Sequence, residues 1–376
     1  MIKVLHLISG GDTGGAKTHI FSLMKGLKNL VDARIICFIK DSFYDEAKDL
    51  GYNIKVFPQK SRADMSVVKK LREEIDREKF DIIHAHGARA NFIVMFLKKY
   101  IRVPVITTIH SDYKLDFKDS FYKNLVFTTL NKVALKYFDY YITVSDSFRQ
   151  MLIERNFNKD KIFVLYNGID KDKKFNFIPK EDFLSRYNIN YNGEFLVGIA
   201  ARLDKVKDHQ TFIAACKEVL KENTDIIFLI AGEGEEKENL LKEIKGFEKN
   251  IYFLDFVKDN YSFFNAIDLN VLTSISESFP YVILESALMN VASISTDVGG
   301  ISKVIINDNT GYLIGVCDYK SLSQKILYLY NNRQKLKELG ENIHKLVEEK
   351  FSTDAMGKAQ FEIYNKILEE YNENNW

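Results

Sequence analysis

The chain has 376 residues, with 53 basic and 52 acidic side chains and a net charge of +1. This balance gives no overall positive field of the kind that attracts nucleic acid, so we expect no nucleic-acid partner. A chain of this length exceeds the size of one hydrophobic core, and its apolar content of 46% is that of a globular protein, so two domains are expected.

The N-terminus predicts no targeting segment. Its first apolar run is interrupted by Lys3 and His6, and no stretch approaches the roughly 18 apolar residues of a membrane span. The cysteines Cys37, Cys216 and Cys317 are widely spaced, which favours buried free thiols in a reducing compartment over metal ligation. We therefore expect a cytoplasmic protein, with the inner face of the plasma membrane as the alternative location.

Short β-branched and aromatic runs alternate with helical stretches along the chain. Most runs are apolar on both faces, which predicts parallel strands covered by helices and therefore α/β domains. The first series of predicted strands lies at 3–8, 33–39, 54–57, 81–84, 105–109, 140–144 and 162–165. The second series lies at 195–200, 226–230, 251–256, 269–272, 292–296 and 312–314.

The boundary between the domains is predicted in the charged segment 171–180, which contains Pro179. This gives an N-terminal domain at 1–175, a C-terminal domain at 176–352 and a final helix at 353–376. The helix either ends the C-terminal domain or returns to the N-terminal one.

The apolar side chains of the final helix recur at spacings of three and four, which places them on one buried face. They are Phe361, Tyr364, Leu368 and Tyr371. Open parallel sheets bind ligands at the carboxyl ends of their strands, so two such sheets facing each other would form a site in the cleft between them.

A glycine-rich segment, GGDTGG at 10–15, separates the first strand from a helix predicted at 17–28. Glycines let a backbone approach a ligand closely, and a helix N-terminus favours anions. The spacing differs from GxGxxG, so a plain tight turn remains the alternative.

Histidines His84 and His86 lie two residues apart at the end of a predicted strand and so share a face. A metal site is one interpretation, but no carboxylate or cysteine partner is indicated, and histidines of the core or the cleft rim are favoured. His19, in the first helix, is either structural or on the acceptor side.

The segment 113–141 is dense in lysine and aromatic residues. A basic amphipathic helix can lie on an anionic membrane, which would suit a lipid-linked acceptor. The alternative is a helix that buries its aromatic side chains and leaves its lysines in water. The residues concerned are Lys114, Phe117, Lys118, Phe121, Tyr122, Lys123, Phe127, Lys132, Lys136, Tyr137 and Phe138.

Two cations, Arg202 and Lys207, follow the first strand of the second series and precede a helix. Across such a turn both can converge on one anionic group, and a diphosphate suits a forked guanidinium beside a point charge. Two solvated surface cations are the alternative.

Two glutamates, Glu277 and Glu285, lie eight residues apart on either side of Pro280, which predicts the start of a helix. The free N–H groups of such a helix start can bind phosphate. A carboxylate in the loop can bind sugar hydroxyls, and one inside the helix can bind a ribose diol. Two solvated glutamates are the alternative.

The segment 170–172 reads Asp-Lys-Asp, the D-x-D pattern of a metal site. It lies in the linker, and its first aspartate already belongs to an NGID element, so we expect no metal there.

Together these motifs resemble the retaining glycosyltransferases of family 4, which have the GT-B fold. The E-x7-E pattern matches Glu277 and Glu285 within E-S-F-P, and R-x4-K matches Arg202 and Lys207. The other matches, in the family's order, are GGA-x-x-H at 14–19, the strand-final His110, NG-[IV]-D at 167–170 and G-x-G at 232–234. The matches cover most of the chain, from residue 10 to 315.

The resemblance implies a GT-B fold of two Rossmann-like domains and a metal-independent transfer of sugar from a nucleotide-sugar donor to a glycan or lipid-linked acceptor. Arg202 and Lys207 would bind the diphosphate, Glu285 the ribose and Glu277 the transferred sugar, which His110 would also contact. The further donor-binding residues that it implies are Gly15, Gly232, Val257, Phe279, Pro280, Val282 and Ile283.

Several positions depart from the family pattern and bear on the identity of the donor. Asp208 and Asp255 stand where the family has glycine, Asn290 begins the segment where it has Gly-Val-Pro, and Ser302 with Lys303 replace Pro-Glu. A UDP-sugar is expected from family frequency. The rival functions are a nucleotide-sugar epimerase or phosphorylase of the same fold, and a nucleotide-sugar-binding regulator without catalysis.

Overall fold

The computed structural model describes residues 1–11, 14–61, 64–112, 129–173 and 177–374. The chain forms two compact units, one made of Met1–Gly168 with Thr353–Trp376 and the other of Ile169–Ser352. Of the segment 113–141, for which membrane contact was predicted, residues 113–128 lie outside the described residues.

The N-terminal unit contains a seven-stranded parallel sheet in the order β3-β2-β1-β4-β5-β6-β7. Its strands are β1 Lys3–Ile8, β2 Asp32–Cys37, β3 Ile54–Val56, β4 Ile82–His86, β5 Val105–Ile109, β6 Tyr140–Thr143 and β7 Ile162–Val164. The described helices between them are α1 Gly14–Leu27, α2 Ser42–Asp49, α3 Ser66–Glu78, α4 Gly87–Leu97, α5 Thr129–Leu135 and α6 Asp146–Glu154.

The C-terminal unit contains a six-stranded parallel sheet in the order β10-β9-β8-β11-β12-β13. Its strands are β8 Phe195–Ala200, β9 Ile226–Ala231, β10 Ile251–Asp255, β11 Leu269–Leu272, β12 Ala292–Thr296 and β13 Gly311–Ile314. Its helices are α7 Lys180–Arg186, α8 His209–Glu222, α9 Lys237–Glu243, α10 Asn260–Ala266, α11 Tyr281–Leu288, α12 Tyr319–Asn331 and α13 Arg333–Lys350.

Each predicted strand is present, with ends that differ by at most two residues, and the expectation of two parallel α/β sheets is confirmed. The central strands are buried along their length, as parallel strands covered on both faces must be. Strand β4 continues to His86, so both histidines of the HAH segment lie within the strand.

In each sheet the order of strands reverses at one place, between β1 and β4 in the N-terminal unit and between β8 and β11 in the C-terminal unit. The chain leaves the two strands at such a point toward opposite sides, which opens a crevice at their carboxyl ends. The loops after these strands are therefore where a ligand site is expected.

The final helix, α14 Thr353–Asn374, belongs to the N-terminal unit. Its predicted apolar face is confirmed, because Tyr364 is fully buried and Phe361, Leu368 and Tyr371 pack against the same core cluster. Within the described residues, no helix combines the length and apolar content that crossing a membrane requires.

The cysteines differ from expectation at one position. Cys37 and Cys216 are free and buried, as predicted, but Cys317 is free and exposed. Cys317 follows β13 and has a left-handed backbone, with φ 60°. Its side chain is exposed although apolar residues lie near it in the sequence.

Helices α1 and α14 approach each other closely at two glycines. A Cβ atom on Gly357 would lie 2.2 Å from the carbonyl oxygen of Gly26, and one on Gly26 would lie 2.1 Å from that of Thr353. These positions need glycine because the two backbones are in contact.

We predict that Gly357→Ala destabilises the protein. Alanine improves helix propensity by about 1 kcal/mol, but its methyl group would overlap the α1 backbone, and overpacking of this kind costs about 1–3 kcal/mol. The midpoint of thermal unfolding should fall. Gly315→Ala is the matched control, because its Cβ would meet no atom closer than 3.6 Å. An unchanged midpoint in Gly357→Ala would contradict the described helix contact.

Candidate active site

The loops after β8 and β11 carry the cations and the first glutamate of the predicted donor site. The Lys207 ammonium lies 2.5 Å from Oε1 of Glu277, with side chains 17% and 9% exposed. Arg202 is 79% exposed and its guanidinium lies 3.1 Å from Asp204. The structure thus joins Lys207 to Glu277 and places Arg202 in solvent on the same loop.

Hydrogen bonds fix the conformation of the β8 loop and tie it to the loop after β11. Asp204 accepts from the N–H groups of Val206 and Lys207, each at 3.1 Å. Thr273, directly after β11, donates through its hydroxyl to the carbonyl oxygen of Lys207 at 3.0 Å, and the N–H of Ile275 donates to Val206 at 2.8 Å. Lys207 is therefore held by both loops.

Glycines allow two further loops to pack against this pair. A Cβ on Gly232 would lie 1.9 Å from the carbonyl oxygen of Ala201, and one on Gly299 would lie 2.1 Å from that of Glu277. Both residues also have a positive φ, 150° and 63°. The G-x-G segment at 232–234 and the DVGG segment at 297–300 thus have a packing role. They bring backbone atoms close to the segments that carry Arg202 and Glu277.

Glu277 is oriented by two donors. Its Oε1 accepts from the Ser274 hydroxyl at 2.7 Å as well as from Lys207. Sequence reasoning missed Ser274, which lies three residues before the glutamate and offers no motif of its own.

Helix α11 begins after Pro280, as predicted, and Pro280 at its N-cap provides no side-chain cap. Its first N–H groups are therefore candidates for an anionic ligand. The side chain of Phe279 is buried against Phe351, with ring centroids 5.2 Å apart, and Ile283 is also buried. Any ligand contact from these residues would involve their backbone; Val282 is half-buried.

Glu285 lies on α11 and accepts a hydrogen bond from the Asn260 amide at 3.1 Å. Burial raises the pKa of Glu285, while the bond from Asn260 and the charge of Lys173 act in the opposite direction. Asn260 is a second residue that sequence reasoning missed, because it approaches from a different helix, α10.

The predicted base-binding region combines a buried and an exposed side chain. Val257 is 8% exposed and Phe256 is 68% exposed. The preceding residue, Asp255, accepts through its carbonyl from the N–H of Gly232 at 2.8 Å, which joins the ends of β9 and β10.

Three departures from the family pattern share one conformation. Asp208, Asp255 and Asn290, each at a position where the family has glycine, have φ values of 48°, 55° and 58°. Aspartate and asparagine are the residues, after glycine, that adopt this left-handed region most readily. The backbone path is therefore kept, and Asp208 also caps α8 by accepting from Thr211.

The N-terminal unit places His110 directly after β5. Its ring lies edge-on to that of His19, with centroids 4.6 Å apart, and His19 Nδ1 lies 2.8 Å from the amide oxygen of Asn167. Burial, followed by the proximity of His19, lowers the pKa of His110 well below its usual range. The His19–Asn167 contact joins two motifs, GGA-x-x-H and NGID, that are far apart in the sequence.

The glycine-rich segment divides into two parts. A Cβ on Gly10 would lie 2.2 Å from the carbonyl oxygen of Ile39, so this residue is required for packing. Gly15 lies in the first turn of α1 and is exposed, and so is Gly14. Gly14 and Gly15 are therefore accessible at the N-terminal end of the helix.

The remaining sequence candidates have local structural roles. His84 and His86 are buried, as the favoured interpretation predicted, and His84 contacts Tyr364 and Thr108. In the D-x-D segment, Asp170 accepts from the N–H of Asp172 at 3.1 Å, which forms a turn.

Two family models match the chain. Glycosyltransferase Family 4 matches residues 13–173, and Glycosyl transferases group 1 matches residues 181–346. The Escherichia coli O-antigen biosynthesis glycosyltransferase WclY is 26% identical, over 98% of this chain and 99% of that protein. The N-acetyl-alpha-D-glucosaminyl L-malate synthase of Bacillus anthracis is 29% identical, over 87% and 84%.

The fold has close structural neighbours. The crystal structure of Anabaena HepE in complex with UDP superposes with a TM-score of 0.81 over 97% of this chain and 100% of that chain, at 20% identity. Because the two family models together span most of the sequence, the chain belongs to glycosyltransferase family 4 and is a glycosyltransferase with the GT-B fold.

Proposed function

We propose that this enzyme transfers a sugar from a nucleoside-diphosphate sugar to an acceptor hydroxyl, with retention at the anomeric carbon. The observation that carries the proposal is the contact between Lys207 and Glu277 at the point where the strand order of the C-terminal sheet reverses. The proposal takes Lys207 as the cation for the diphosphate and Glu277 as the carboxylate for the sugar, and the two side chains meet at the carboxyl ends of β8 and β11.

The reaction requires stabilisation of the diphosphate as it leaves with increasing negative charge. Lys207, Arg202 and the first N–H groups of α11 would supply it electrostatically, which removes the need for a metal ion. Glu277 would bind the hydroxyls of the transferred sugar and Glu285 the ribose. His110 would contact the transferred sugar, and the leaving phosphate would help to accept the proton of the acceptor.

The proposed donor is a UDP-sugar. The neighbour HepE was crystallised with UDP, which supports this choice, and the backbone at Phe256 and Val257 would hold the base. The relative WclY acts in O-antigen biosynthesis, which supports a bacterial envelope glycan as the product. The acceptor would then be a growing glycan or its lipid-linked form.

We predict that Arg202→Ala and Lys207→Ala each lower the transfer rate by about 10²-fold or more, because each removes charge stabilisation of the leaving group. Arg202→Ala should change stability by less than about 1 kcal/mol, since Arg202 is largely exposed and surface ion pairs contribute little. Lys207→Ala should also destabilise the protein, because it leaves the mostly buried Glu277 carboxylate without its cation, so folding of this variant is checked before its rate is compared. Rates are measured with a UDP-sugar panel in the presence of a chelator.

Lys205→Ala is the control, because Lys205 is an exposed cation of the same loop. Near-normal turnover in both test variants would refute the assignment of the donor site. Loss of wild-type activity in the chelator, restored by Mg²⁺ or Mn²⁺, would refute metal independence. Conversion of the donor without an acceptor would indicate an epimerase.

We predict that UDP raises the midpoint of thermal unfolding more than GDP or ADP does, because a ligand that binds only the folded state stabilises it. Glu285→Ala should reduce the UDP-induced shift, whereas Glu238→Ala, on the exposed surface of α9, should not. A larger shift with GDP or ADP would overturn the choice of base. Equal shifts in the two variants would overturn the role of Glu285.

Peripheral contact with an anionic membrane is part of the proposal. In α5 and just after it, Leu130, Val133 and Tyr137 are 37%, 41% and 47% exposed. Lys132 and Lys136 are exposed beside them. Phe138 and Tyr141, in contrast, are buried in the core, so the aromatic residues of this segment do not share one role.

We predict that the protein co-sediments with vesicles containing an anionic phospholipid at low salt. The double variant Lys132→Glu/Lys136→Glu should weaken this binding about tenfold or more, since each lysine near such a surface contributes about 1 kcal/mol. The control is Lys242→Glu/Lys245→Glu, with the same change of charge at exposed positions of the other unit. No binding, or equal loss in the two variants, would indicate a soluble acceptor.

A further inference from the structure

Five histidine rings form a cluster on the N-terminal sheet. His6 lies on β1, His84 and His86 on β4, His110 directly after β5 and His19 on α1. Four of these side chains are at most 1% exposed. Burying five imidazole rings together removes many ring nitrogens from water, so these nitrogens require hydrogen-bond or metal partners.

Within this cluster, two sets of three histidines each bring one ring nitrogen per residue to within 4.8 Å of the others. One set is His6, His84 and His86, and the other is His19, His86 and His110. His84 is unsuited to binding a further ligand, because its two ring nitrogens contact the Tyr364 hydroxyl at 2.8 Å and the Thr108 hydroxyl at 2.7 Å.

The second set offers nitrogens that have no such partner. Among the described residues, Nε2 of His19, Nδ1 of His86 and Nε2 of His110 are buried and form no hydrogen bond. The rings are close, with centroids 4.6 Å apart for His19 and His110 and 5.8 Å apart for His86 and His110. Three buried ring nitrogens without hydrogen-bond partners among the described residues are an arrangement that a bound cation would satisfy.

Hydrogen bonds on the far side of two rings set the tautomers that ligation needs. An amide oxygen only accepts, so Nδ1 of His19 carries the proton that it donates to Asn167, and Nε2 presents its lone pair. Nε2 of His86 lies 3.1 Å from Nδ1 of His6. When His86 donates in that contact, its Nδ1 presents a lone pair as well. Partners of this kind orient histidine ligands in metal sites.

We propose that His19, His86 and His110 form a binding site for a divalent ion of the zinc class, Zn²⁺, Co²⁺ or Ni²⁺. Imidazole is a preferred ligand of these ions, and three histidines with an open fourth position are a known type of zinc site. Bonds of about 2.0–2.1 Å place tetrahedral ligand nitrogens about 3.4 Å apart. The ligand nitrogens lie within 4.8 Å of one another, so they have to approach each other by up to about 1.4 Å.

Occupancy of this site has a consequence for catalysis that rests on the proposed function. A metal-bound His110 is withdrawn from the transferred sugar, so Zn²⁺ inhibits transfer and a chelator restores it. Metal binding is measured without any nucleotide sugar. The experiment therefore tests the metal site independently of the proposed role of His110 in sugar transfer.

The test is titration of chelator-treated full-length protein with Co²⁺, followed by its visible absorption, and with Zn²⁺, followed by calorimetry. One equivalent should bind per chain. Zn²⁺ at about 100-fold above its Kd should raise the midpoint of thermal unfolding by about 5 °C or more, and Mg²⁺ should not. His19→Gln and His110→Gln should each abolish binding of this metal ion.

His209→Gln is the matched control, because His209 is also buried, with ring nitrogens that have no hydrogen-bond partner among the described residues, but lies in the C-terminal unit. It should retain the metal. Far-UV circular dichroism shows whether each variant is folded. The titration of the wild-type protein tests metal binding independently of the variants. Absence of binding to the wild-type protein overturns the proposal. Binding that survives both substitutions, or is lost only in His84→Gln, overturns the choice of ligands.

Discussion

The ion pair between Lys207 and Glu277 depends on the reversal of strand order between β8 and β11. Only at that point do the loops of neighbouring strands leave in opposite directions and still begin side by side. The pair is mostly shielded from water. Both partners are fixed by further hydrogen bonds: the N–H of Lys207 donates to Asp204, Thr273 donates to the carbonyl oxygen of Lys207, and Ser274 donates to Glu277. Lys207 is thus already ordered in the unliganded protein, which would reduce the entropy cost of binding an anionic ligand there.

The same site requires backbones to approach each other more closely than side chains allow. Gly232 and Gly299 meet carbonyl oxygens of Ala201 and Glu277 at distances that no Cβ could occupy. Where the requirement is only a left-handed backbone, aspartate or asparagine suffices, as at Asp208. This difference explains why some glycines of the family pattern are kept here and others are replaced.

The N-terminal unit is subject to a different constraint, the removal of imidazole rings from water. His84 is satisfied by hydroxyl partners, one of them Tyr364 on the final helix α14. His19 has a partner on one nitrogen only. A neutral imidazole has one nitrogen with a lone pair, which can accept a hydrogen bond or bind a metal ion. The packing of α14 therefore contributes to the polar cluster as well as to the apolar core.

The sequence alone determined the alternation of strands and helices, because short runs such as 195–200 and 226–230 are apolar on both faces and are separated by longer stretches of helical period. The resemblance to the family identified Arg202, Lys207, Glu277 and Glu285 as a set, through the R-x4-K and E-x7-E patterns. It did not find Ser274 or Asn260, which have ordinary residue types and gain their roles from contacts with Glu277 and Glu285.

Tertiary structure alone decided the arrangement of the histidines. Apart from His84 and His86, which share a strand, their positions are separated along the chain, and the parallel pairing of β1 with β4 and of β4 with β5 brings His6, His84, His86 and His110 together. Helix α1 adds His19. Tertiary structure likewise decided that His19 contacts Asn167 and that Lys207 meets Glu277. Local spacing fixes which residues share a loop or a face, whereas contacts across 70 or more residues depend on which strands become neighbours.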